Sequence, residues 1–280
     1  MTTRLAWNGY GKAAVRLVKV DRQAQSHDLH DLTVEAQLQG EFGPAHAGDN
    51  AQVLPTDTMK NTVYALARKG PVDPPEEFGE RLARRFLSVC PAARRAVITI
   101  AVHRWARAKV DGAPHPHAFI GRAAERRLAV VTVDESGTGV EAGLDGLGLL
   151  KTTDSAFEGF LRDEYTTLKE TGDRIMATDV EARWRYARPP RGYGAAWTAI
   201  EGSLIETFAR HRSASVQHTL YAMGEAALAA CAEVSEIRLI LPNRHHLLVD
   251  LAPLGFTNPN EIFVATSEPY GRIEAVIARS

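Results

Sequence analysis

Cysteine is nearly absent, with Cys90 and Cys231 the only two in 280 residues. Two thiols so far apart exclude a disulfide framework and a four-thiolate zinc site within one chain. Both are expected to be reduced and buried. Charge of one sign is lacking too: 33 Lys plus Arg stand against 34 Asp plus Glu, a formal net charge of -1. No excess of positive charge exists to hold a polyphosphate, which argues against nucleic acid as the main partner. No apolar run approaches the roughly 18 residues that cross a bilayer. The segment from Met1 to Arg22 mixes charged and small residues where a signal peptide would carry an apolar core. The expectation is a soluble, unexported protein that does not enter a membrane.

The composition is that of an ordinary globular protein, 45% apolar and 24% charged. The length suits one large domain or two of roughly 100 to 200 residues. Apolar residues recur with two periods. Val15, Leu17 and Val20, then Leu32, Val34, Ala36 and Leu38, alternate as in two strands of an opening hairpin. Asp73-Pro74-Pro75 resembles a helix start, and Phe78, Leu82 and Phe86 return every four residues on one helical face. Strands are expected over Ala96 to Lys109 and Ala118 to Val133, ending in the turn Asp134-Glu135-Ser136-Gly137.

The second half repeats that order. Strand-like stretches around Gly143 to Thr153 and Ala177 to Ala187 precede two helices, one carrying Trp197, Ile200, Leu204 and Phe208, the other Val216, Leu220, Met223, Ala227 and Cys231. Strands return at Glu236 to Leu241, His245 to Leu251 and Glu261 to Ala265. Two copies of strand, strand, helix, helix, strand, strand emerge, with the break near Ser136 to Gly139. Residues 1–137 and 138–280 are the expected repeats. The fold class is α+β, antiparallel sheets with helices packed on one face. Open sheet edges invite closure into a barrel by neighbouring subunits.

Ten histidines raise the question of a metal. His27 and His30 with Asp28 and Asp31, then His115 and His117, then His245-His246, are the clusters, and none matches a helical zinc motif. Adjacent residues of a strand point to opposite faces, so His245 and His246 are poorly placed to share one ion. No metal is expected. Gly9-Tyr10-Gly11-Lys12 ends in lysine but precedes a strand, so it offers phosphate no helix N-terminus and is not a P-loop. Leu54-Pro55-Thr56-Asp57-Thr58-Met59-Lys60 resembles a helix start with Thr56 or Asp57 as its cap. Taken singly, each segment has an ordinary structural explanation.

Together with Val216-Gln217-His218, Leu241-Pro242-Asn243-Arg244-His245 and the run from Phe157 to Thr171, however, these segments closely resemble the urate oxidase (uricase) family from Tyr10 to beyond Asp250. The resemblance implies a tandem tunnelling fold (T-fold), a homotetramer built around a β-barrel, sites at subunit interfaces and a cofactor-free oxidation of urate by O2. It implies a proton relay of Lys12, Thr56 and His245. Phe157 would stack on the purine, Arg174 would grip it, and Val216 and Gln217 would meet its other edge. Asp57 would stand beside Thr56 at the substrate, Asn243 beside the oxygen and water position, and Leu168 in the pocket wall. Lys12 and Thr56 would face Phe157, Arg174, Gln217 and His245 of a neighbouring subunit.

The sequence departs from the family pattern at Glu158, where tryptophan is usual, at Thr58-Met59 and at His246. The final Ile277-Ala278-Arg279-Ser280 lacks the Ser-Lys-Leu peroxisomal address, so a bacterial cytoplasm is the expected home. The residue types suit the substrate. Urate is flat, anionic and edged with carbonyl and N–H groups, which call for a guanidinium fork, an amide that both donates and accepts, and an aromatic face. A lysine shielded from water loses its proton more readily and can serve as a base. Two rivals stay open on the residues alone: a zinc-dependent T-fold hydrolase of purines or pterins, and a catalytically silent purine-binding protein.

Overall fold

The structure is a computed structural model and describes residues 3–280. The chain divides into two compact units, one running to Leu144 and including Arg191–Gly194, the other comprising Asp145–Pro190 and Ala195–Ser280.

The first unit opens with β1 (Tyr10–Arg22) and β2 (His27–Gly40), continues through α1 (Thr56–Lys69) and α2 (Pro75–Val89), and returns as β3 (Ala93–Val110) and β4 (Ala113–Asp134). The strands form an antiparallel sheet in the order β1-β2-β3-β4. The expected hairpin and both later strands are present. Alternation sends Leu32, Val34, Ala36 and Leu38 into the core together with Ile98, Ile100 and Val131, and the four-residue period of α2 delivers Phe78, Leu82 and Phe86 to it. Gly79 marks the closest approach of α2 to the sheet, since a Cβ there would lie 2.9 Å from the Val131 side chain.

β5 (Gly137–Lys151) begins in the first unit and ends in the second. The second unit then holds β6 (Met176–Tyr186), most of α3 (Tyr193–Arg210), α4 (Val216–Ala230), β7 (Val234–Asn243), β8 (His246–Leu248), β9 (Phe263–Ala265) and β10 (Gly271–Ala278). Its sheet runs β6-β7-β10, all antiparallel, over a core of Val180, Trp184, Ile200, Leu204, Met223 and Leu239.

Here one expectation is corrected. The strand after β7 in the main sheet is β10, which the sequence reading did not assign. The stretches read as strands at His245 to Leu251 and Glu261 to Ala265 shrink to β8 and β9, which pair only with each other. The reason is visible in the burial of β10: as an edge strand it buries Ile277 alone and carries Arg272 and Glu274 on its exposed face. Both cysteines are free and buried, as expected. No helix among the described residues is long and apolar enough to cross a membrane.

Candidate active site

In the first unit, Lys12 lies on β1 opposite Ala36 of β2, just before an irregularity in the pairing where Ala14 takes a φ of 55°. Gly11 lets the two backbones approach this closely, because a Cβ there would meet the Ala36 carbonyl oxygen at 1.9 Å. Tyr10 anchors the opposite side of the motif. Its ring sits edge-on to Phe42, and its hydroxyl accepts a 2.8 Å hydrogen bond from the Leu54 N–H. Burial, with Cys90 nearby, pushes the phenol up to about 12, so it stays protonated. Tyr10 therefore ties the strand bearing Lys12 to the loop that leads into Thr56.

Thr56 is the first residue of α1, not its cap. The capping position is Pro55 and has no side-chain cap hydrogen bond, which corrects the assignment of Thr56 or Asp57 as N-cap. Asp57 instead bonds to Lys60 and Asn61 within the helix. Its carboxyl is held below the usual range, chiefly by Lys60, with Asn61 and the charge of Lys12 adding to the effect. Lys12 and the start of α1 are thus close enough to interact electrostatically. The unexpected contributor is Tyr10, whose place beside Gly11-Lys12 was its only signal in the sequence.

In the second unit, Phe157 and Thr171 form an isolated antiparallel bridge at the two ends of the loop between them. The Arg174 guanidinium lies over the Phe157 ring, its Cζ 5.2 Å from the centroid, and Phe160 stacks on Phe157 at 4.9 Å. The Nε of Arg174 is buried without a hydrogen-bond partner among the described residues. Burial also pushes the guanidinium down from its ordinary value, although arginine remains charged at any working pH. Asp173 fixes the approach to Arg174 by accepting bonds from the Thr153 hydroxyl and the Ser155 N–H.

Ser155 in turn pairs with Ser213, and this bridge brings the start of α4 toward Phe157. Val216 at that start is buried and Gln217 is exposed. Asn243 ends β7 opposite Gly271. Between Asn243 and His245, Arg244 bridges Ala177 at the start of β6, shortly after Arg174. The His245 carbonyl accepts the N–H of Thr266 at 2.9 Å, which fixes the backbone, while its partly exposed imidazole makes no hydrogen bond among the described residues.

Phe157, Arg174, Val216, Gln217, Asn243 and His245 thus all belong to the second unit, while Lys12, Thr56 and Asp57 belong to the first. Leu168 is 54% exposed on the 157–171 loop. Among the departures, Met59 is fully buried in α1, and the Glu158 carboxylate lies against Gly172. His246 instead lines a groove of about 390 Å³ with Arg244, Asp179 and Thr266, on which no assigned contact residue falls. Among the described residues, no three His, Cys, Asp or Glu side chains are grouped to hold a metal ion.

Comparison with known proteins settles the family. The family model for uricase matches residues 8–132 and 140–274. The chain belongs to the uricase family. It is 47% identical to the uricase of Arthrobacter globiformis over 98% of this chain and 90% of that protein, and 39% identical to that of Aspergillus flavus over 97% and 95%. The crystal structure of the Arthrobacter globiformis uricase superposes with a TM-score of 0.94 at 46% identity, covering all of this chain and 96% of that one. A uricase from Bacillus fastidious shares the fold at a TM-score of 0.84 with 22% identity. The fold is accordingly the T-fold, and neither the zinc hydrolase nor the silent binder is favoured.

Proposed function

We propose that this chain oxidises urate with O2 and water to 5-hydroxyisourate and hydrogen peroxide, using its own side chains and no metal or organic cofactor. The reading rests on membership of the uricase family and, above all, on one observation: the buried Arg174 Nε that lacks an acceptor beside the ring of Phe157. A desolvated cation short of a partner costs free energy until an anion arrives. The planar, anionic edge of urate meets that need with a carbonyl and an adjacent ring nitrogen, while Phe157 covers the ring face. Gln217, exposed at the start of α4, supplies an acceptor and two donors to the opposite edge.

In the reaction, the urate anion loses a proton and two electrons, O2 takes up the electrons and two protons, one from the purine and one from solvent, to leave as hydrogen peroxide, and water adds at the electrophilic carbon. Urate is itself an electron-rich reductant, so the protein's task is to move protons and to hold O2, then water, against the ring. Lys12 acts as the base, the Thr56 hydroxyl relays the proton, and His245 orients or accepts it. Asn243 donates to the oxygen species or the water that succeeds it. Asp57 lies near Lys12 in charge and keeps the start of α1 polar.

The relay pair and the purine clamp lie on different units of the chain. We assign them to one site shared between neighbouring subunits of a homotetramer, with Leu168 in its wall and 1–137 and 138–280 as the repeats. The apolar side chains left uncovered on each chain support this assembly, among them Leu161 at 95% exposure and Phe256 at 67%. The cytoplasm is the assigned location. The deciding assay follows loss of urate absorbance and production of hydrogen peroxide in air, after exhaustive chelation and without added cofactor. Turnover with stoichiometric peroxide is the expected result; absence of turnover until one metal is restored overturns the cofactor-free reading.

A further inference from the structure

Phe157 belongs to a stack of four side chains, in the contact order Arg174, Phe157, Phe160, Arg162. The Arg174 guanidinium lies over the Phe157 ring, the Phe160 ring stacks on Phe157 with centroids 4.9 Å apart and planes inclined by only 13°, and the Arg162 Cζ lies 5.0 Å from the Phe160 centroid. The chain turns back on itself to bring Phe160 against Phe157 three residues later. Gly159 permits the turn with a φ of 68°, in the left-handed region that a side chain disfavours. The Glu170 carboxylate holds it from across the loop, accepting the Gly159 N–H at 3.2 Å and pairing with Arg162 at 3.6 Å.

We propose that Phe160 is a positioning residue, which backs the Phe157 ring on the face turned away from the purine and so holds that ring ready to stack. The proposal rests on Phe157 as the stacking partner of the purine. A purine that meets the Arg174 fork in the plane of the guanidinium lies over the same face of Phe157 as the guanidinium does. The other face is then free to be covered, and Phe160 is the ring that covers it.

The main chain of Phe157 cannot provide this support alone. Its N–H donates to the Thr171 carbonyl at 2.8 Å and its carbonyl accepts the Thr171 N–H at 3.2 Å, so both backbone groups are fixed. The two torsions of the side chain are not, and the ring is only half-buried on its loop. Ordering such a ring at the moment of binding costs affinity that a preformed site keeps. A parallel aromatic neighbour limits the ring to one orientation, because offset stacking is among the favoured arrangements of two rings. Arg162 adds cation–π attraction to Phe160, and its pairing with Glu170 keeps it there. An aliphatic side chain of similar bulk would fill the same space but present no flat face.

The experiment measures xanthine affinity of the full-length protein by titration calorimetry for wild type, Phe160→Leu, Phe160→Tyr, Phe157→Leu and the variant carrying both leucines. Phe160→Leu should weaken binding roughly two- to tenfold, the factor that one aromatic stack represents, and should raise the KM for urate while kcat stays near that of the wild type. Phe160→Tyr keeps the ring and should bind as the wild type does. In the Phe157→Leu background, Phe160→Leu should cause no further loss, because no ring is left to position. An equal loss in both backgrounds overturns the proposal, since general loosening of the loop produces that result. Unchanged or tighter binding by Phe160→Leu overturns it too, tighter binding meaning that Phe160 covers the face the purine needs. Phe160→Met, which also lacks a flat face, gives the same reading if Phe160→Leu does not fold. Phe157→Leu with unchanged affinity removes Phe157 from the purine site and the proposal with it. Weakened binding by Phe157→Leu but not by Phe160→Leu overturns the role of Phe160 alone.

Discussion

Arg174 and Phe157 meet face to cation, with the Cζ of one 5.2 Å from the ring centroid of the other, and the arginine's buried Nε has no acceptor among the described residues. A guanidinium held in this way presents a fixed planar fork, which an ammonium on a flexible stem cannot copy. Arg174→Lys should therefore weaken xanthine binding by roughly 1.5 to 3 kcal/mol, the usual size of one charge-assisted hydrogen bond. Titration calorimetry measures this without turnover, and an unchanged dissociation constant would remove Arg174 from the clamp.

Lys12 and Thr56 are assigned mainly to proton transfer. Lys12→Met and Thr56→Ala should each lower kcat, with loss of the base costing about 100-fold to 10,000-fold, while xanthine affinity stays near that of the wild type. Affinity is the necessary companion to the kinetics, because KM equals a dissociation constant only when chemistry is slow. Lys12→Met abolishing xanthine binding would show that the relay and the clamp have been exchanged.

Gly11 is a test of the scaffold beneath Lys12. A methyl group there cannot avoid the Ala36 carbonyl oxygen, since backbone, unlike a side-chain tip, has no rotamer into which to retreat. Gly11→Ala should force β1 away from β2 and cost about 1 to 3 kcal/mol, as overpacking generally does. The thermal midpoint should fall, and activity should fall with it at temperatures where the protein is still folded, because Lys12 moves with the strand. A variant as stable as wild type would mean that β1 and β2 are further apart than described.

How far these features could be read in the sequence depended on whether a side-chain pattern carried them. The period of Phe78, Leu82 and Phe86 located α2, and all three are fully buried. The alternation of Leu32, Val34, Ala36 and Leu38 fixed β2 and its inward face for the same reason. β10 is hard to read from sequence because its inward residues Ile273, Ala275 and Ile277 are only partly covered up to the last, and the exposed apolar Val276 and Ala278 beside them mask the alternation. Residue type alone offers Thr56 or Asp57 as the cap, whereas Pro55 occupies that position with a φ of -56° and leaves Thr56 in the first turn. The candidate site residues could be named only through the resemblance, because lysine, threonine and histidine far apart in sequence share no period. Their bracing was harder still to see. Ser155 and Ser213 pair through backbone groups, and the His218 ring accepts from a backbone N–H, so neither contact leaves a mark in the order of side-chain types.

The strongest test of the shared site mixes two inactive proteins. Lys12→Ala damages the half supplied by the first unit and Arg174→Ala the half supplied by the second, and each pure assembly should be inactive or nearly so. If every site takes one half from each of two subunits, a hybrid interface contains two kinds of site. One joins the intact Lys12 half of the Arg174→Ala subunit to the intact Arg174 half of the Lys12→Ala subunit, and the other carries both lesions. Dissociating the two proteins mildly, mixing them and allowing reassembly should therefore restore activity, rising with the fraction of hybrids to at most about half of the wild-type sites at each mixed interface. Hybrid formation must be verified independently, for instance by native mass spectrometry with one parent isotopically labelled. Sites completed within one subunit would give no recovery at any hybrid fraction, because every subunit would still carry its own lesion. Verified hybrids without activity would thus show that Lys12 and Arg174 serve the same site from one chain, or do not serve the same site at all.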